Sequence, residues 1–187
     1  MAQQVIMAGF GGQGVMSMGQ LLAYAGMLEG KSVSWLPSYG PEMRGGTANC
    51  GVIISEDLVG SPVVINSTSA IIMNKPSLDK FEKLVDKGGN LFINSSLIEE
   101  KSKRDDINIY YIPANEIANE LGNSRVANMV MLGAYIEITK AVEIESIEEG
   151  FTKVFGERRA HLLPINKEAL ERGAEVARKQ QAEVGAY

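Results

Sequence analysis

The sequence predicts an α/β domain of three layers, α/β/α, around a mixed, partly parallel sheet that opens with a Rossmann-like βαβ unit. Three observations carry this expectation. The apolar run Val5-Ile6-Met7-Ala8 leads straight into glycines, as a strand buried on both faces of a sheet does. From Gln13 to about Glu29 the apolar residues Val15, Met18, Leu22 and Ala25 recur at helical spacing, and Gly30 stands where a C-terminal cap belongs. Between residues 47 and 112 several short strand-like runs follow one another, with links too short for helical crossovers, which favours a mixed sheet over a purely parallel one. With 187 residues, 45% of them hydrophobic and 22% charged, the chain reads as a single domain over residues 1–187, large enough for a core without staples.

Taken in order, the first strand and helix lead into Val33-Ser34-Trp35-Leu36, a second strand stopped by Pro37, which completes the βαβ unit with a right-handed crossover. Residues 37–46 form a loop by composition, and Thr47 to Ser55 returns to strand. Val63-Val64-Ile65 and Ala70-Ile71-Ile72-Met73 read as two more strands. Ser77 is placed to cap a helix running to about Lys87 and closed by Gly88-Gly89, with Leu78, Phe81, Leu84 and Val85 inward. Leu91-Phe92-Ile93 and Ile107 to Ile112 are further strands. Helices are expected over Asn115 to Leu121, Val126 to Lys140, Ile147 to Phe155 and Lys167 to about Gln180, and the charged tail after Ala174 is expected to fray or to dock.

Composition excludes whole classes of function. Eighteen Lys+Arg against 23 Asp+Glu give a net charge of −5, unlike a protein devoted to the nucleic-acid backbone, so no nucleic-acid partner is expected and any basic site must be local. A single cysteine, Cys50, cannot supply the four thiolates that usually hold an iron–sulfur cluster. Met1-Ala2-Gln3-Gln4 is no basic leader, and no apolar run reaches the ~18 residues of a membrane span. A cytoplasmic protein without a membrane partner is the expectation.

Gly9-Phe10-Gly11-Gly12-Gln13-Gly14 fits G-x-G-x-x-G after a strand and before a helix. Without Cβ atoms its backbone N–H groups can approach an anion, and the helix N-terminus adds about half a positive charge, so phosphate is the natural guest. The alternative is a tight turn and close helix packing alone. A dinucleotide site would add Asp or Glu about 20 residues on, at the end of the second strand. Trp35-Leu36-Pro37-Ser38 offers none there, which disfavours an independent NAD or flavin oxidoreductase. The loop Ser38 to Thr47 leaves the second strand at the same sheet edge. In it Arg44, beside Gly45 and Gly46, provides a forked donor for phosphate or an ion pair with Glu42, and Tyr39 can stack on a base or line a subunit contact. Such a loop, bearing Tyr39, Pro41 and Met43 among glycines, also reads as an interface element that orders on assembly.

Together with the Gly60-Ser61-Pro62 turn and Arg125-Val126-Ala127-Asn128, these pieces resemble the gamma subunit of 2-oxoacid:ferredoxin oxidoreductases. The resemblance implies a thiamine-diphosphate enzyme that oxidatively decarboxylates a 2-oxoacid to an acyl-coenzyme A and passes two electrons to ferredoxin. It implies that this chain has no catalytic residue and no metal of its own, and that it helps bind coenzyme A. The residues so implicated are Gly9, Gly11, Gly12, Gln13, Gly14, Tyr39, Arg44, Gly45, Gly46 and Asn128, the pyrophosphate and 3′-phosphate suiting the glycine loop and Arg44. Thiamine diphosphate, Mg2+ and iron–sulfur clusters would sit on partners: alpha and beta subunits, a ferredoxin-like delta subunit, and ferredoxin itself. The string Arg44 to Cys50 looks most like 2-oxoglutarate members, then ketoisovalerate, then pyruvate. Asn128 has a second reading as a helix N-terminal residue bonding locally. A hypothesis of another class is a stand-alone nucleotide-binding regulatory module.

Other residues are set aside. Cys50 in a strand reads as a small buried apolar residue, and His161, after Arg158-Arg159, as a surface or interface residue. Neither stands at metal-ligand spacing.

Overall fold

A computed structural model describes residues 2–38 and 47–184. Six strands, β1 (Gln3–Phe10), β2 (Ser32–Ser38), β3 (Thr47–Ser55), β4 (Ser67–Ile72), β5 (Val85–Asn94) and β6 (Asn108–Ile112), form one sheet in the order β2-β3-β1-β4-β5-β6. Six helices join them: α1 (Val15–Leu28), α2 (Lys75–Phe81), α3 (Ala114–Glu120), α4 (Ala127–Thr139), α5 (Ile144–Phe155) and α6 (Leu163–Val184). The sheet is mixed, as expected, although its antiparallel part is confined to β3. That strand pairs antiparallel with both β1 and β2, while β1, β4, β5 and β6 run parallel to one another. β1, α1 and β2 do form a βαβ unit, but β3 lies between its two parallel strands.

Alternate residues of β1 feed two cores. Val5 and Met7 join the larger one under α1 and α3–α6, and Ile6 and Ala8 the smaller one beside Leu78 and Phe81 of α2. α1 ends as its sequence predicts: Gly30 adopts φ 74°, its N–H donates to Met27 O, and Lys31 N–H donates to Gly26 O, the paired bonds of a Schellman cap. Pro37 does not stop β2, because β2 is an edge strand of this sheet and its missing N–H costs no ladder bond on the open side.

Three expectations are corrected. Val63-Val64-Ile65 is irregular, with Val63 and Ile65 exposed, and no neighbour in the sheet pairs with it. The helix expected to reach Lys87 ends at Phe81, because Val85 already pairs with Ser67 as the first residue of β5. Gly88 and Gly89 therefore lie within β5, at an irregularity in its register. The cap of α2 is Asn74, whose Oδ1 accepts from Ser77 N–H at 3.0 Å; Ser77 provides the N–H and not the capping oxygen.

α4 and α6 cross so closely that a Cβ on Gly133 would overlap the Leu170 carbonyl, and one on Gly173 the Val130 carbonyl. That contact fixes α6 and the six-residue 3₁₀ segment just before it, residues 157–162, against the rest of the domain. The segment after Ala174 remains helical through residue 184. On it the Gln180 amide accepts from Tyr111 N–H at 3.0 Å and donates to Tyr111 O at 2.7 Å, so a side chain closes the open edge of β6.

Candidate functional site

The glycine loop bridges β1 and α1 with Gly12 at φ 91° and Gly14 at φ 74°, both left-handed. Gly14 is the N-cap of α1. Among the described residues the positive end of this 14-residue helix has no capping side chain and no acid in its own first turn. Two loop N–H groups are used internally: Phe10 N–H donates to Gln13 Oε1 at 2.6 Å and Gln13 N–H to Phe10 O at 3.2 Å. Those of Gly11, Gly12 and Gly14 have no acceptor among the described residues.

Asn128, 7% exposed at the start of α4, holds this loop from the side. Its Nδ2 donates to Gly14 O at 3.2 Å and its Oδ1 accepts from Met129 N–H at 2.9 Å. The local bond expected of a helix-start asparagine is there, and so is a tie to the glycine loop. A Cβ on Gly14 would overlap that same amide.

A cleft of about 590 Å³ opens beside this junction. Gly12, Gly14, Ser17 and Asn128 line one side. Arg125 lines it from the 3₁₀ turn before α4, and Arg159 and His161 from the 3₁₀ segment before α6. Val126, Met129, Phe151, Phe155 and Leu162 add apolar residues to the lining. Among the described residues no Asp or Glu lines the cleft, although acids outnumber bases in the chain. Neither Arg125 nor Arg159 makes an ion pair among the described residues. The volume lies in the range of small-ligand sites, and the charge selects anions.

Of the residues singled out by sequence, Gly12, Gly14 and Asn128 therefore meet at one cleft. Gly11 is exposed in the adjoining turn. Gly9 and Gln13 do not line the cleft: a Cβ on Gly9 would come within 2.7 Å of Met73 Cβ, and Gln13 Nε2 donates to Met73 O at 3.4 Å, which ties the loop to the end of β4. Tyr39, Arg44, Gly45 and Gly46 lie outside the described residues. The cleft also takes in Arg159 and Phe155, which sequence reasoning did not single out, and His161, which it read as a surface or interface residue and which is exposed here; the Arg158-Arg159 pair was the local signal. Cys50 is fully buried, and burial pushes its thiol up to about 12, in keeping with a small core residue. Among the described residues no cluster of His, Cys, Asp or Glu could hold a metal ion, and no helix is long and apolar enough to cross a membrane.

Similarity to known proteins converges on one family. Residues 4–176 match the family model described as pyruvate ferredoxin/flavodoxin oxidoreductase. The ketoisovalerate oxidoreductase subunit VorA of Methanothermobacter marburgensis is 42% identical over 177 residues, 94% of this chain and 37% of VorA. The chain thus spans little more than a third of that relative's length. The gamma subunit of a keto/oxoacid ferredoxin oxidoreductase from Geobacter sulfurreducens superposes with a TM-score of 0.80 at 28% identity, covering 95% of this chain and 99% of that one. A 2-oxoglutarate:ferredoxin oxidoreductase from Magnetococcus marinus, solved with 2-oxoglutarate, coenzyme A and succinyl-CoA bound, shares the fold with a TM-score of 0.86 at 23% identity, over 95% of this chain and 31% of that one. The chain belongs to the pyruvate ferredoxin/flavodoxin oxidoreductase family, as a gamma-type subunit.

Proposed function

We propose that this chain is the coenzyme A-binding gamma subunit of a cytoplasmic complex that oxidises a 2-oxoacid to an acyl-coenzyme A and reduces ferredoxin. The observation that carries this reading is the cleft at the N-terminus of α1, free of acids among the described residues, where glycines and arginines border one space of ligand size. Coenzyme A matches it in chemistry, with a pyrophosphate for the loop and an apolar base for the wall. Gly11, Gly12 and Gly14 would receive the pyrophosphate with Arg44 as its charged partner, while Gly9, Gln13 and Asn128 hold the loop in shape. Tyr39, Gly45 and Gly46 would bring the neighbouring loop to the same edge and to the partner subunit.

With one cysteine in the chain and no metal-ligand cluster among the described residues, the donors for iron–sulfur clusters, and for Mg2+ with thiamine diphosphate, do not fit here. On this reading they belong to alpha, beta and ferredoxin-like delta subunits, and thiamine diphosphate supplies the carbanion chemistry there. The contribution of this chain is to bind and orient the thiol carrier. The 42% identity to a ketoisovalerate oxidoreductase subunit makes a branched-chain 2-oxoacid the first substrate to assay, ahead of the 2-oxoglutarate favoured by the Arg44 to Cys50 string.

The test is to purify the tagged chain with its native partners and assay ferredoxin reduction with each 2-oxoacid. Coenzyme A-dependent activity in the complex, absent from the isolated chain, is expected. Arg44→Ala should raise the coenzyme A requirement about 10- to 100-fold, with the 2-oxoacid requirement far less affected. A co-purifying set without a thiamine-diphosphate subunit, or activity indifferent to coenzyme A, overturns the proposal.

A further inference from the structure

The cleft is lined by more positive charge than a pyrophosphate on a glycine loop requires. On the reading above, the pyrophosphate is already served by a helix N-terminus with three open N–H groups and by Arg44. Arg125, Arg159 and His161 come from two separate 3₁₀ segments, are exposed, and border the same space with no carboxylate among the described residues that line it. Arginines kept unpaired beside a cleft are suited to a phosphate monoester, a dianion that forked guanidinium groups hold by two parallel bonds. Half-buried Phe155, its ring centroid 4.7 Å from that of Phe151, lines the same cleft and offers a firm aromatic wall.

Resting on the coenzyme A reading above, we infer that Arg125, Arg159 and His161 form the subsite for the 3′-phosphate of coenzyme A, with Phe155 as the wall for its adenine. The pyrophosphate then stays at the glycine loop, and Arg44 is not needed for the monoester. The consequence is selectivity: this chain distinguishes coenzyme A from 3′-dephospho-coenzyme A.

Titration calorimetry on the native complex with the two ligands tests it. The wild type should bind coenzyme A about 10- to 100-fold more tightly than the dephospho form. Arg159→Gln should remove most of that preference by weakening coenzyme A alone, with dephospho-coenzyme A within twofold, and Arg159→Lys should restore part of it. Arg125→Gln should act in the same direction. Both arginines are exposed, so these replacements leave the core untouched. Gly12→Ala is the control for the shared loop and should weaken both ligands alike. If the preference survives in Arg159→Gln and Arg125→Gln while Gly12→Ala weakens both ligands, the subsite is wrong and the coenzyme A site stands. If the wild-type complex binds neither ligand, both fall.

Discussion

Replacing Gly14 by alanine perturbs the point where the glycine loop, α1 and α4 meet, and its cost separates into two parts that the structure makes measurable. The first part is conformational. At φ 74° an L-residue is held in the left-handed region, which costs about 1–2 kcal/mol. Gly12, at φ 91°, carries the same kind of strain, but a Cβ there meets nothing within 4 Å. The second part belongs to Gly14 alone. Its Cβ would displace the Asn128 amide, which is 7% exposed and donates to Gly14 O at 3.2 Å. Losing that bond and leaving the buried amide without its acceptor costs about 1–3 kcal/mol.

Gly12→Ala should therefore lower stability by about 1–2 kcal/mol and Gly14→Ala by about 2–5 kcal/mol. Urea denaturation of both variants, in wild-type and Asn128→Ala backgrounds, isolates the second part as a coupling energy. With Asn128 gone, the gap between the two glycine variants should shrink to within about 0.5 kcal/mol. Equal costs for Gly12→Ala and Gly14→Ala with Asn128 present would refute the reasoning, as would a gap that persists without it.

Gly133→Ala should destabilise by about 1–3 kcal/mol despite alanine's better helix propensity, because the clash is with the Leu170 backbone carbonyl of α6; a melting temperature unchanged or raised would show that the helices separate freely. Cys50 should resist a thiol reagent at pH 8 in the native protein and react on unfolding in urea, since burial keeps it as a thiol; stoichiometric labelling within minutes under native conditions contradicts this. For Glu29, burial alone would raise the carboxyl, but hydrogen bonds from Lys31, the Glu143 N–H and Ser146 outweigh it and hold the carboxyl below its ordinary 4.5. Its stabilisation is present above that pH and lost as pH falls through the lowered value, so the deficit of Glu29→Gln at pH 7 should shrink as both proteins are taken below about pH 4. A deficit constant down to pH 2 would remove the charge from the account.

The glycine loop was legible because its signals are local: an apolar run, six residues rich in glycine, and a helical period with its cap all lie within residues 5–30. Strand order was not legible in the same way. Both Val33 to Leu36 and Val52 to Ile54 are β-formers, and nothing within either segment says whether β2 will lie beside β1 or fold back as a hairpin on β3. The overlong α2 shows the ambiguity of short apolar runs. Leu78, Phe81, Leu84 and Val85 fit a helical period, yet Val85 gains more by joining the sheet beside Ser67. His161 reads as a surface or interface residue because all that sequence shows beside it is the Arg158-Arg159 pair. The packing of α5 on α1, together with the crossing of α4 and α6, brings that segment to the start of α1.

On the proposed reading, that return bears on how an acidic protein would hold an anion at all. A net charge of −5 would repel a multiply phosphorylated ligand over the whole surface, and salt screens such repulsion within about 10 Å. Inside that distance the nearest groups decide, and among the described residues those that line the cleft are arginines, a histidine and open helix N–H groups, with Glu157, two positions before Arg159, outside the lining. The acids are paired elsewhere: Glu137 with Arg178 and Lys140, Glu120 with Arg172, Glu148 with Lys167. Those surface pairs add little to stability. They do, however, hold Lys140, Lys167, Arg172 and Arg178 beside carboxylates, while Arg125 and Arg159 make no ion pair among the described residues and are left for the proposed ligand.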